Sequence, residues 1–384
     1  MNSSIVKPKF RVASGSAYPP WAITVIVALL AGCANAPSLR GTDARLPARA
    51  ASEMPNTTSL SPTVRRLVDE ANVLMPLAQS DLAKRFLAAT HSLPAIAPRT
   101  VYVNEMTREY FSPAEFAALP EPTRLRLSRT ELDEFRYYYT KYGSPLAFFR
   151  ALDIATSVGV TDIAGERILD FGYGSIGHLR LLASLGAYVT GADPDSYLDA
   201  LYSESSDRGS IPRAAGNGRG LFAGKGSITL AHGYYPKDAQ MVARVGQGYD
   251  LIVSKNTLKR GYIKPQRKAD KRQLIDLGVS DEVFLNTLAG ALNAGGKIVI
   301  YNVYPRPSGP KEVYKPYADG RSPFTQEQYR KAGLKVLAFE AEDNATIRKI
   351  GHALKWDKND KGETIDNLDT NLFAMYTVLE RMVR

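Results

Sequence analysis

Residues 168–177, "ILDFGYGSIG", combine a short apolar run, an acid and three glycines with the spacing G-x-G-x-x-G. The apolar run ends at Asp170, and the glycines are Gly172, Gly174 and Gly177. Glycine permits a tight turn and lets the backbone approach a ligand closely, and a helical pattern follows the last glycine. The stretch therefore predicts a strand, a sharp turn and a helix beside a ligand site. The alternative is a tight strand-to-helix turn that holds no ligand.

Short apolar runs alternate with helical stretches after this turn, which is typical of a parallel sheet covered by helices on both faces. The predicted strands are residues 167–171, 187–192, 227–231, 250–254 and 297–303, followed by "LKVLAFEAE" and "NLFAMYTVLER". The glycine-rich residues 209–226 between the second and third strands are predicted to be a flexible loop. With 384 residues, 44% hydrophobic and 23% charged, the chain can bury a full core and is not a disordered protein.

The turn is compatible with two classes of ligand. It follows a strand, opens a helix and is followed by Asp193 at the end of the next strand, which is the context of an NAD-type dinucleotide site. Asp170 argues against this interpretation, because a carboxylate before the first glycine would repel a pyrophosphate. A ligand with an ammonium and a sulfonium group would instead be attracted.

In these features the sequence resembles the class I S-adenosylmethionine-dependent methyltransferases, over about residues 146–384. The resemblance rests on Asp170 and the glycines, on Asp193 in "GADPD", and on "YDLIVSKNTL" and "LNAGGKIVIYNV" at the fourth and fifth strands. It implies an α/β fold, a doubly wound, Rossmann-like sheet of seven strands in the order 3-2-1-4-5-7-6, with the last strand antiparallel. It also implies S-adenosylmethionine as the cofactor.

The resemblance assigns the cofactor to six residues: Asp170, Gly172, Gly174, Gly177, Asp193 and Tyr142. Asp193 is expected on the ribose hydroxyls. Tyr142 belongs to an aromatic run, "FRYYYTKYGSP", and in the family the segment before the first strand often folds over the methionine end of the cofactor. The alternative is an aromatic helix that packs on the edge of the sheet.

Catalytic residues are not identified by any motif, and the candidates follow from their positions near the ends of strands: Lys255, Asn256, His232 and Tyr301. A histidine such as His232 or His178 could act as a general base, or could fill space in the core. No Cys/His cluster has metal-ligand spacing, so no metal site is predicted.

The substrate is predicted from a basic segment after the fourth strand. Residues 254–272, "SKNTLKRGYIKPQRKADKR", contain a single acid, and Lys255, Lys259, Arg260 and Lys264 could form a cationic entrance to the site. The alternative is a solvated loop. The fourth-strand motif lacks the Asn/Asp-Pro-Pro-aromatic signature of the amino-group methylases of DNA and proteins, which argues against nucleic acid as a partner. We therefore expect methyl transfer to a small anionic molecule.

The N-terminus predicts export and lipidation. Basic residues 7–11, a short apolar run at 22–31 and "LAGC" at 30–33 resemble the signal and lipobox of bacterial lipoproteins, in which Cys33 is acylated. Ala34 follows this cysteine, which by the same resemblance favours the periplasmic face of the outer membrane. An uncleaved N-terminal helix with a chance cysteine is one alternative, and a cytoplasmic protein translated from Met54 is another.

The predicted organisation is a signal peptide (1–32), a tether (33–61), a helical N-terminal segment (62–158) and a methyltransferase-like domain (159–384). The envelope location conflicts with the cytoplasmic origin of S-adenosylmethionine. Two further functions are therefore open: a noncatalytic envelope lipoprotein that binds a small ligand or a protein partner, and an NAD-binding oxidoreductase.

Replacing the predicted lipidation residue tests the proposed anchor. In a Gram-negative host, the full chain should enter the membrane fraction and incorporate labelled fatty acid, and Cys33→Ser should lose the label because serine has no thiol to acylate. Equal amounts of unlabelled, soluble protein from both chains would show that the lipobox pattern is accidental.

Overall fold

A computed structural model describes residues 60–212, 214, 225–359 and 361–383. The predicted signal peptide, most of the tether and Cys33 lie outside the described residues. None of the helices within these ranges combines the length and hydrophobicity that crossing a bilayer requires.

The strands, in chain order, are β1 (Arg99–Asn104), β2 (Glu109–Phe111), β3 (Ser128–Leu132), β4 (Arg167–Phe171), β5 (Tyr188–Asp193), β6 (Gly209–Ile211), β7 (Gly226–His232), β8 (Tyr249–Lys255), β9 (Leu292–Pro305), β10 (Leu334–Glu342) and β11 (Leu372–Arg381). The α-helices are α1 (Pro62–Leu74), α2 (Asp81–Ala88), α3 (Pro113–Ala118), α4 (Glu121–Arg124), α5 (Glu134–Tyr139), α6 (Phe149–Ser157), α7 (Ile176–Ser184), α8 (Ser196–Leu201), α9 (Ala239–Val245), α10 (Arg260–Ile263), α11 (Asp281–Ala291), α12 (Gln326–Lys331), α13 (Asn344–Ala353) and α14 (Leu368–Asn371).

The central sheet has the order β10-β11-β9-β8-β4-β5-β7-β6. From β7 to β9 the neighbouring strands are parallel, and β11 is antiparallel to both β9 and β10. The seven predicted strands thus occur in the predicted order, and the predicted class I methyltransferase-like fold is confirmed.

The sheet contains one strand more than the sequence predicts. Strand β6 pairs antiparallel with β7 at the outer edge, with Gly209 opposite Ile228 and Ile211 opposite Gly226. It begins the segment 209–226 that was predicted to be entirely loop. Three residues are too few to produce a periodic apolar pattern, which explains why the strand is not visible in the sequence.

The N-terminal segment is helical only in part. Its first predicted helix is α1, which Ser61 caps by accepting a hydrogen bond from the backbone N–H of Val64. Between α2 and α5 the chain forms a second, three-stranded antiparallel sheet in the order β2-β1-β3. In its central strand, Val101 and Val103 are buried and alternate with more exposed residues. The prediction of a helical segment at residues 62–158 therefore misses this sheet.

The N-terminal helices and the central sheet share one hydrophobic core. Leu67 of α1, Phe86 of α2 and Leu152 of α6 belong to the same buried cluster as Ile168 of β4 and Val299 of β9. Burial of this shared apolar surface stabilises both parts together. The boundary predicted at residue 158 consequently does not separate two cores.

A buried ion pair fastens α6 to the C-terminal half of the sheet. The guanidinium of Arg150 donates from Nε and Nη2 to the two oxygens of Asp343, each at 2.8 Å. Asp343 also accepts a hydrogen bond from the hydroxyl of Tyr301 at 3.0 Å, and Arg150 donates to Gln79 at 3.0 Å. Both charges are thus paired and hydrogen-bonded, the condition under which burial of charge is tolerated.

Removing one side of this pair should destabilise the fold strongly. Arg150→Met leaves the Asp343 carboxylate buried without its cation, and we expect a loss of about 3–5 kcal/mol in the free energy of unfolding, measured by urea denaturation. The control is Arg85→Met, because Arg85 pairs with Asp162 at 3.0 Å near the surface. That variant should lose no more than about 1 kcal/mol. Equal losses would show that the buried pair does not join the two parts.

Candidate functional site

The carboxyl ends of β4, β5, β8 and β9 open onto a cavity of about 1860 Å³. Ligands of open α/β sheets bind at this edge, because the loops after parallel strands converge there. Most of the residues predicted for the site line the cavity: Asp170, Gly172, Gly174, Asp193, Tyr142, Lys255 and Asn256. Gly177, His232 and Tyr301 are not among its lining residues.

The glycine turn is closely packed by the chain itself. Gly172 and Gly174 have φ values of +79° and +59°, in the left-handed region. A Cβ on Gly172 would lie 2.1 Å from Oγ1 of Thr257, and one on Gly174 would lie 3.0 Å from the ring of Tyr142. The conformation and these contacts require glycine with or without a ligand. The turn alone therefore does not identify one.

Asp170 forms a pair that the sequence does not reveal. Its Oδ2 lies 2.5 Å from Nε2 of His178, one turn into α7, and both side chains are buried. The imidazole of His178 stacks on the ring of Phe148, with the ring centres 4.5 Å apart. The other oxygen of Asp170, Oδ1, is buried and has no hydrogen-bond partner among the described residues. Asp170 thus retains one acceptor atom for a donor that the described chain does not supply.

Asp193 is a buried carboxylate at the edge of the cavity. It accepts hydrogen bonds from the backbone N–H groups of Asp195 at 3.0 Å and of Gly174 at 3.4 Å. No side chain donates to it within the described residues. Burial raises the pKa of Asp193 to about 7, and the nearby charge of Asp195 acts in the same direction. Such an environment is costly for a carboxylate unless a ligand supplies hydrogen-bond donors.

Tyr142 fastens the N-terminal segment to this side of the site. Its hydroxyl donates to Oδ2 of Asp195 at 2.7 Å, and Lys141 forms an ion pair with the same oxygen at 2.5 Å. Thr140 donates from Oγ1 to the carbonyl of Gly174 at 2.9 Å. The strap formed by residues 140–143 thus lies directly against the glycine turn. The predicted contact of Tyr142 with a cofactor stays a prediction.

Two lysines lie on the cavity wall after β8. The ammonium group of Lys259 is buried, donates to the carbonyl oxygen of Val303 at 2.5 Å, and lies 5.5 Å from the ring centre of Tyr262. The ammonium group of Lys255 has no hydrogen bond or ion pair within the described ranges, and the charge of Asp170 acts on it from nearby. Burial lowers the pKa of Lys255 to about 8, whereas burial together with the charge of Lys255 lowers the pKa of Lys259 to about 7.

The other two residues of the predicted cationic entrance form ion pairs and do not line the cavity. Arg260 pairs with Asp319 at 3.0 Å, and Lys264 pairs with Asp281. Neither residue is among those that line the cavity. Of the four basic residues predicted for this entrance, Lys255 and Lys259 line the cavity.

Of the remaining catalytic candidates, one borders the cavity and two do not. Asn256 borders the cavity, but its Oδ1 accepts a hydrogen bond from the backbone N–H of Val303 at 2.7 Å, which fixes the loop after β8. His232 lies in the core beside Tyr173, and burial lowers its pKa to about 4. Tyr301 is fully buried and donates to Asp343. The structure therefore leaves Lys255 and Asn256 in contact with the cavity.

Comparisons with known proteins give a distant likeness. No family model matches the chain, and no curated protein sequence matches it. A proposed sarcosine dimethylglycine methyltransferase from Galdieria sulphuraria is similar at 13% identity and a TM-score of 0.37, over 63% of this chain and 88% of that chain. An S-adenosylmethionine-dependent methyltransferase from Mesorhizobium loti is similar at 17% identity and a TM-score of 0.33, over 60% of this chain and 98% of that chain.

A third similar structure is phosphoethanolamine N-methyltransferase 2 from Haemonchus contortus, in complex with phosphomonomethylethanolamine and S-adenosylhomocysteine. Its identity is 14% and its TM-score 0.33, over 75% of this chain and 69% of that chain. Likenesses at this level describe the backbone, and the ligands and substrates in these names belong to those proteins.

The raised pKa of Asp193 predicts a pH-dependent stability. Between about pH 4 and 7 the folded protein holds a proton that the unfolded chain has released, so the free energy of unfolding falls as the pH rises through this window. Asp193→Asn removes this titration. From pH 5 to pH 8 the wild type should lose about 1–3 kcal/mol more than the variant in urea denaturation. Parallel pH profiles would contradict the burial of an ionisable carboxyl group here.

Proposed function

We propose that this domain binds S-adenosylmethionine and transfers its methyl group to a small anionic molecule. The observation that carries the proposal is the environment of Asp193. This buried carboxylate ends β5, borders the cavity beside the glycine turn, and accepts hydrogen bonds only from backbone N–H groups within the described residues. A carboxylate retains acceptor sites after two such bonds, and the two hydroxyls of a ribose could fill them.

Asp170 supports the same ligand from the neighbouring strand. One of its oxygens is unpartnered in a buried setting, and an ammonium group is a donor that suits it. The negative charge of Asp170 and Asp193 favours a ligand with an ammonium and a sulfonium group over the pyrophosphate of NAD. The residues present therefore fit S-adenosylmethionine, with Asp193 toward the ribose and Asp170 toward the amino acid end.

The chemistry proposed for the site needs little from the protein beyond position. When bound, S-adenosylmethionine would supply a methyl group on a sulfonium: an acceptor atom would bond to the methyl carbon while the C–S bond breaks and its electron pair leaves with the thioether sulfur. Holding two reactants in line converts an encounter into an intramolecular step, which is a large source of rate acceleration. Lys255 and the loop fixed by Asn256 border the space in which the acceptor would be held.

The location of the protein in the cell is a separate proposal, which rests on the sequence alone. The lipobox-like residues 30–33 support a lipid anchor at Cys33 in the bacterial envelope. A start at Met54 would instead leave the domain in the cytoplasm, where S-adenosylmethionine is made.

Isothermal titration of the full chain with S-adenosylhomocysteine, S-adenosylmethionine and NAD tests the cofactor. We expect the two adenosyl ligands to bind and NAD to bind more weakly. Asp193→Ala should weaken S-adenosylhomocysteine binding by about 1–3 kcal/mol, because the ribose hydroxyls would lose their acceptor in a buried site. The matched control is Asp199→Ala, since Asp199 lies in the adjacent helix α8 but does not line the cavity.

Two results would contradict the proposal. Tighter binding of NAD than of S-adenosylhomocysteine would favour the dinucleotide alternative. Failure of all three ligands to bind a folded chain would favour a noncatalytic protein, in which the packing of Thr257 and Tyr142 on the glycine turn replaces a cofactor.

A further inference from the structure

We propose that the methyl acceptor is an organic anion with an apolar body, held at its charged end by Lys255 and Lys259 and along its body by an apolar wall around Trp356. That this anion accepts a methyl group rests on the proposed function. That the site binds such an anion rests on the residues that line the cavity.

The charged end of the site is an uncompensated pair of lysines. Lys259 is only 3% exposed, and its contacts are the carbonyl of Val303 and the ring of Tyr262. The ammonium group of Lys255 forms no hydrogen bond within the described residues, and Asp170 is near enough for its charge to act on it. Neither ammonium forms an ion pair with a carboxylate there. A buried and a half-buried ammonium group close enough to influence each other are unfavourable without a ligand, and an anion between them relieves both burial and repulsion.

The neighbouring acids are engaged only in part. Oδ2 of Asp170 pairs with His178, and Asp195 is bound by Lys141 and Tyr142. Oδ1 of Asp170 has no hydrogen-bond partner among the described residues, and the charge of Asp170 acts on Lys255 without an ion pair between them. Lys259 has no carboxylate partner of this kind, so an anion at this end of the site would match positive charge that the described residues leave unpaired.

The apolar wall lies in the same cavity, at the end of β9 and the start of β11. Its members are the side chains of Val303, Leu354, Trp356 and Leu372, with Val73 of α1 and Ile365 beside them. Val73 and Ile365 are 50% and 42% exposed. Large apolar side chains that line a concave surface are favourable contacts for an apolar ligand and unfavourable ones for water. A small hydrophilic anion would use the lysines and leave this wall uncovered.

The volume of the cavity accommodates such a molecule together with a cofactor. At about 1860 Å³ it exceeds the usual range for one small-molecule site, which is roughly 300–1,000 Å³. The adenosyl ligand proposed above would occupy the part near Asp193, and the part near Trp356 would remain.

Tryptophan fluorescence can report on this site directly. The sequence contains two tryptophans, Trp21 and Trp356. In the full chain carrying Trp21→Phe and Cys33→Ser, the emission comes from Trp356 alone. Octanoate, acetate and 1-octanol are matched probes: the first has both a charged end and an apolar body, the second only the charge and the third only the body. We expect octanoate to bind at least about tenfold more tightly than either partial probe, a difference of about 1.4 kcal/mol.

Substitutions in the same background test which residues bind the charged end of the probe and which bind its apolar body. Lys255→Met and Lys259→Met should each weaken octanoate binding by about tenfold and leave 1-octanol unchanged, because methionine keeps most of the apolar side chain and removes the charge. Lys355→Met is the control, since Lys355 lines the same cavity from an exposed position, and it should change octanoate binding by less than about twofold. Leu354→Ser should weaken octanoate and 1-octanol alike.

The ranking of the three probes tests the proposal even if a lysine variant does not fold. Octanoate binding no more tightly than 1-octanol, or inorganic phosphate binding more tightly than octanoate, would overturn it. Titration with S-adenosylhomocysteine in parallel separates the two proposals. Binding of octanoate without S-adenosylhomocysteine refutes the proposed function alone, and the reverse result refutes this inference alone.

Discussion

The turn between β4 and α7 has no room for a β-carbon, and the arrangement of the site depends on this constraint. Thr257 of the loop after β8 packs on Gly172, and Tyr142 of the N-terminal strap packs on Gly174. Residues far apart in sequence thus meet on one turn, and their backbones set the walls of the cavity. A larger residue at Gly172 would strain the left-handed backbone and also displace the loop that carries the two lysines.

Two sets of buried or half-buried charges have different roles. Arg150 and Asp343 are fully paired and connect the N-terminal helices to the sheet. Asp193, Lys255 and Lys259 have no partner of opposite charge that neutralises them within the described residues, and each lines the cavity. Their pKa values move toward neutrality as a result. Groups shifted by burial in a cavity are typical of functional sites, because a ligand can restore the interactions that the fold withholds.

The sequence predicts the central sheet well because each of its seven longer strands contains an apolar run that is bounded by turn residues or by a helical pattern. The sequence analysis does not predict β6, which has three residues. It also does not predict β1, in which the buried Val101 and Val103 alternate with more exposed residues. Tyr301 was placed at the mouth because its strand was expected to end nearby. Strand β9 instead continues to Pro305, and Asp343 covers the side chain of Tyr301. Asp170 lies in a strand and its partner His178 lies in the following helix, so no local sequence pattern predicts that the two side chains pair.

The signs of the charges around the cavity suit a reaction that changes charge. Asp170, Asp193, Lys255 and Lys259 all line it, and the charge of Asp170 acts on Lys255. Fixed charges of this kind hold a cationic and an anionic ligand side by side, with an attraction of about 4 kcal/mol at 4 Å for an effective dielectric constant of 20. In the proposed methyl transfer a sulfonium becomes a neutral thioether, so the ligand beside Asp170 and Asp193 loses one positive charge. The same side chains would therefore favour binding of the reactants and weaken their hold on the products.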